Sequence, residues 1–163
     1  MGSVLGMIVI WGAIVLPGSA LFAQAPVTLS DNPLKGAIDF HVHSGPDSFT
    51  RSVTDFEIAK IAKANGMRAL VLKNHFTMTA DRAWLAQRAT GMRCFGGVVL
   101  NRAVGGLNLA AIEQMVTFTG ECGKVVWLPT FDAENHVRRF QENRPFVSVV
   151  KAGKPVPELQ PIF

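Results

Sequence analysis

Charge is scarce in this chain. Asp, Glu, Lys and Arg together make up 17% of it, and the first charged side chain, Asp31, comes only after thirty uncharged residues. The formal net charge of +4 comes from Lys and Arg scattered along the remainder. No basic block with interleaved aromatics occurs, which argues against a nucleic-acid partner. Cysteine is nearly absent: Cys94 and Cys122 fit neither a metal motif nor a disulfide framework. Each lies just before an expected strand, so the two could sit near each other as a bridge in an exported protein or as free buried thiols. No apolar run reaches the ~20 residues of a spanning helix. The longest, Val4 to Leu16, has signal-peptide length, is broken by Pro17-Gly18-Ser19, and leads to small residues at Ala20, Ala23 and Ala25.

What is present suits one ordinary domain with a real core: 163 residues, of which 48% are hydrophobic. The expected division is residues 1–25 as a signal peptide or N-terminal apolar segment, 26–36 as a linker and 37–163 as the folded domain. Export to the periplasm or outside the cell follows from that reading, with no stable membrane association once the segment is cleaved.

Four apolar runs read as strands, roughly Ala37–His41, Ala69–Leu72, Cys94–Leu100 and Lys124–Leu128. Three helical stretches alternate with them. The first opens on Thr54-Asp55-Phe56-Glu57, a capping box, and closes at Asn65-Gly66. The second runs from about Thr79 to Ala89, and the third starts from an Asn108 cap. Spacings of about 25–35 residues match βαβ units, which implies a parallel sheet with functional loops at the strands' C-terminal ends. The tail, from Phe146 through Gly153-Lys154, reads as a short hairpin, and Pro155, Pro157 and Pro161 exclude a regular helix after it. The fold class expected is α/β: parallel βα units forming the N-terminal half of a TIM-like, distorted (β/α) barrel, with the rest truncated.

The chemistry concentrates at those strand ends. In a strand, residues two apart share a face, so His41 and His43 project together while Val42 turns into the packing. Two imidazoles on one face at a strand's end suit a single divalent ion, zinc first, with manganese or iron as alternatives. His75 ends the second strand and His136 follows the fourth, which makes both candidate ligands. Asp39 could accept the outer ring N–H of His41. Lys73 shares the face of His75; it could orient an anionic substrate group, lie near the metal, or be carbamylated as a bridging ligand. Asp132 ends the fourth strand as a candidate base, and Arg51, with Asp47 in the first loop, could pair with a substrate carboxylate or phosphate. Each has a plainer alternative: Lys73 as a snorkelling strand-end lysine, Asp132 as a turn cap, His136 as a surface residue.

The run Asp39-Phe40-His41-Val42-His43-Ser44, followed by a capped helix and then Gly66 through His75, resembles the opening of metal-dependent hydrolases. It is similar to both the amidohydrolase superfamily and the polymerase-and-histidinol-phosphatase superfamily. More narrowly, the whole signature through Gly45-Pro46-Asp47 looks like an amidohydrolase-like family. The resemblance implies a distorted (β/α) barrel with one to three divalent metals that activate water against a C–N or ester bond of a small molecule. It maps the first-strand pair onto His41 and His43, and the phosphoesterase second-strand histidine onto His75. The chain departs from the phosphoesterase pattern at Asn74, where Asp is usual, and in its third strand, which carries no acid. Amidohydrolases draw further ligands from later strands, which this chain does not reach. The expectations are therefore a metal-dependent hydrolase of amidohydrolase type, an inactive truncated fragment of one, or a phosphoesterase; a homo-oligomer could supply the missing part.

Overall fold

The structure is a computed structural model that describes residues 32–163. The expected signal segment, residues 1–25, and most of the linker lie outside the described residues. Residues 32–36 form a turn tied to the end of the first helix: the Asn32 side chain donates to the Asn65 carbonyl at 2.9 Å, and the Gly36 amide to the Gly66 carbonyl at 2.8 Å.

Four strands alternate with helices in chain order: β1 (Ile38–Val42), α1 (Asp55–Ala64), β2 (Ala69–Leu72), α2 (Ala80–Thr90), β3 (Cys94–Val99), α3 (Leu109–Val116), β4 (Gly123–Trp127) and α4 (Glu134–Arg139). The four strands pair in parallel in the order β1-β2-β3-β4. A second, antiparallel pair, β5 (Val150–Lys151) with β6 (Lys154–Pro155), forms the tail hairpin. Among the described helices, none is long and apolar enough to cross a membrane.

Local chemistry explains the framework. The Thr54 hydroxyl accepts from the Glu57 amide while the Glu57 carboxylate accepts from the Thr54 amide at 2.7 Å, so the capping box forms as the sequence implies. β2 is buried at every position, as expected of a strand covered on both faces. Val42, Leu70, Leu72 and Cys94 pack against Ala59, Ala62, Ala83 and Ala86. The small alanine side chains let α1 and α2 lie close on the sheet, and each buried leucine contributes about 1.5–3 kcal/mol. A second cluster joins Val98 and Leu100 to Met115 and Ala80. Cys94 and Cys122 are both buried and free, and burial pushes the Cys94 thiol up to about 12.

Three features were not marked by the sequence. Phe40, opposite the histidines on β1, is 62% exposed, on a strand at the edge of the described sheet. A short fourth helix, α4, occupies the loop that carries His136. The proline-rich end does form a helical stretch, but of 3-10 type, over Pro157–Ile162: a proline in the first turn needs no amide partner, and Leu159 is buried beneath it.

Candidate functional site

The parallel ladder carries past the strand ends: the Lys73 amide donates to the Val42 carbonyl at 2.8 Å, which sets the end of β2 beside the end of β1. His41 and His43 lie on one face, with their Nε2 atoms 3.1 Å apart. The His43 ring stacks on His75, centroids 4.7 Å apart at 28°. Lys73 Nζ lies 3.2 Å from His41 Nε2 and 5.2 Å above the Trp127 ring, which spans from β4. Arg51 donates from Nη2 to His43 Nδ1 at 3.3 Å and is held by Asp47 at 2.7 Å. His41, His43, His75, Lys73 and Arg51 thus form one group.

The donors fix the tautomers of the free site. Ammonium and guanidinium can only donate, so His41 Nε2 accepts from Lys73 and His43 Nδ1 accepts from Arg51. His43 therefore carries its proton on Nε2, 3.1 Å from His41 Nε2. Burial, followed by the positive field of His75, Arg51 and their neighbours, lowers His43 from 6.5 to about 4. His41 and His75 are lowered too, by burial first and then by the Lys73 charge, which Asp39 partly offsets at His41. Burial alone lowers Lys73. All three rings are neutral at physiological pH, the form that offers a lone pair.

A supporting shell that the sequence did not announce holds these groups. The buried Ser44 hydroxyl donates to Asp55 Oδ1 at 2.6 Å, and Arg82 grips both oxygens of Asp55 at 2.7 and 2.8 Å while also donating to the Ser44 carbonyl at 3.0 Å. This clasp fixes the residue next to His43 against α1 and α2. Asn101 is fully buried; it donates to the His75 carbonyl at 3.0 Å and accepts the Thr130 amide at 2.9 Å. Thr130 Oγ1 then lies 3.1 Å from His75 Nδ1. Side chains at these strand ends were the available signal: Asn101 ends β3 as Lys73-Asn74-His75 ends β2. Close packing beneath is made possible by Gly97, where an added Cβ would stand 2.4 Å from the Trp127 ring and 2.2 Å from the Val125 carbonyl oxygen.

The remaining expected residues lie elsewhere. Asp132 is buried and engaged: one oxygen pairs with Arg144 and the other accepts the Arg102 amide at 2.8 Å. His136 packs between Phe131 and Phe140, at 5.5 and 4.7 Å, and lies 3.7 Å from Glu142. Neither forms a hydrogen bond, ion pair or ring contact with His41 or His43 among the described residues. Asp39 uses Oδ1 to accept the backbone amide of His41 at 2.8 Å rather than its ring N–H.

Two imidazole nitrogens bound to one ion at ~2.1 Å lie roughly 3.0–3.4 Å apart in octahedral or tetrahedral geometry. The 3.1 Å separation of His41 and His43 fits that pair. Beyond the pair, no set of three or more His, Cys, Asp or Glu side chains converges as a metal cluster among the described residues.

A parallel α/β sheet whose strand-end loops gather three histidines and a buried lysine is the class of molecule defined so far. Residues 36–163 match the model of the Family of unknown function (DUF6282), and the chain belongs to that family. No curated protein and no solved structure matches the chain.

Proposed function

We propose that this chain carries the metal-binding half of an amidohydrolase-like active site and hydrolyses a C–N or ester bond in a small molecule. The observation that supports it most is the 3.1 Å convergence of two neutral imidazole nitrogens at the end of a parallel strand. The same reading makes the four βα units the N-terminal half of a distorted (β/α) barrel, whose ligands gather at this end. His41 and His43 hold the ion, zinc by preference for nitrogen donors, and His75 stands next to them for the third place. When bound, a divalent ion supplies Lewis acidity that brings the pKa of water towards ~7 and polarises the scissile bond.

The protein's own groups prepare that event. The Nε2 lone pairs of His41 and His43 would hold a divalent ion; in the free site the first of these atoms faces Lys73 and the second carries the His43 proton. With the His43 proton on Nδ1 instead, the Arg51 guanidinium, kept at the site by Asp47, would be available to an acidic group of the substrate. Thr130 Oγ1, 3.1 Å from His75 Nδ1, can accept a proton held there, the tautomer that would leave Nε2 of that ring to coordinate. Lys73 orients the substrate from the opposite side.

Metal measured by emission spectroscopy in the purified chain tests the reading. The wild type is expected to retain close to one equivalent of a divalent ion, and a His41→Ala/His43→Ala variant to lose it. Equal metal in both proteins would show that His41 and His43 hold no ion and would overturn the reading.

A further inference from the structure

Among the described residues, three partly buried arginines of this sheet end each have an acid. Arg51 pairs with Asp47 and Arg82 with Asp55, both at 2.7 Å, and Arg144 pairs with Asp132. Lys73 does not. It is 3% exposed, its nitrogen meets His41 Nε2 and the face of Trp127, and no carboxylate among the described residues forms an ion pair with it. Burying an ammonium costs several kcal/mol unless a counter-charge is provided. Neither an imidazole nor an indole face supplies a full negative charge.

On the other side of the imidazoles the surface changes character. Phe49, Phe76 and Phe131 come from the loops after β1, β2 and β4, and their rings pack at 5.8, 5.8 and 6.0 Å from one another. Phe49 remains 42% exposed and sets its ring edge-on to His75 at 6.2 Å. A loop minicore would have little reason to leave one of its three phenyl rings part in water at the rim of a polar cluster, where it meets the Arg51 guanidinium at 5.5 Å. The contacts run in a fixed sequence: Lys73, His41, His43, His75, then the phenyl wall.

We propose that the substrate is an N-acyl or O-acyl acid of two parts, a carboxylate held by Lys73 and an aromatic group laid on the Phe49 wall, with the scissile bond over the imidazoles. The proposal rests on the hydrolase reading for the bond that is cut, and on Lys73 and Phe49 alone for the class of molecule. For N-benzoylglycine the reaction breaks the C–N bond: the oxygen of one water joins the acyl carbon, one of its protons goes to nitrogen, and benzoic acid and glycine result.

Titration calorimetry on metal-free protein, kept in chelator, separates the parts. N-benzoylglycine carries both groups, N-acetylglycine only the carboxylate, and benzamide only the ring. N-benzoylglycine is expected to bind most tightly, with each of the others about tenfold weaker or more. Phe49→Ala, in an exposed loop, should bring N-benzoylglycine down to the level of N-acetylglycine. Lys73→Met should erase the advantage of N-benzoylglycine over benzamide; if that variant does not fold by circular dichroism, the wild-type comparison of those two ligands still decides. Equal affinity for all three, or no binding of N-benzoylglycine, overturns the proposal. Bound metal is measured separately, so a protein that retains its ion but ignores these ligands refutes the substrate class and leaves the metal reading standing.

Discussion

His43 is the residue on which local electrostatics acts most visibly. Its folded pKa is about 4 against the ordinary 6.5, because burial and surrounding positive groups disfavour the imidazolium. Between those two values the unfolded chain takes up a proton that the folded chain refuses. The stability of the metal-free protein therefore falls as pH drops from 6.5 to 4 and is fully present above that window. His43→Gln should flatten the pH dependence of the melting temperature over this range, with a residual slope from His41 and His75, which shift the same way. An unchanged slope would show that the ring is freely solvated. Asp132 gives the opposite lesson about single residues. Its position after a strand suggested a base, but the group that occupies it, Arg144, lies twelve residues further on, and nothing in local spacing marks that pairing.

At the level of elements, the first helix depends on its cap. Thr54 satisfies the Glu57 amide and Glu57 returns the contact, so Thr54→Ala should cost about 1 kcal/mol in urea unfolding with the m-value unchanged. A loss within error would mean that packing of Ala59 and Ala62 alone sets the helix. Such elements were legible because their signals are local: apolar runs for the strands, a Thr-x-x-Glu box, a glycine stop. α4 was not, since Glu134 to Arg139 has no apolar stripe and buries only Val137. The close approach of the His41 and His43 rings follows from period-two alternation, whereas the shell beneath them does not. Ser44, Asp55 and Arg82 meet across 11 to 38 residues of sequence, and only the folded sheet brings them together.

For the whole molecule, the described sheet ends at β1 on one side, where Phe40 is 62% and Ile38 36% exposed, and at β4 on the other, where Val126 is 36% exposed. Exposed strand edges with large apolar side chains recruit further strands. The isolated chain should therefore self-associate as its concentration rises, and Phe40→Lys should shift sedimentation towards the monomer. A wild type that stays monomeric at all concentrations would show that these groups are tolerated at an ordinary surface.

The chain has no tyrosine and three tryptophans; of the two among the described residues, Trp127 lies against the Lys73 ammonium. An indole with a cation on its face emits differently once that cation turns to another partner. The protein thus contains its own optical gauge of the centre, and anything that draws Lys73 away from the ring will register as light.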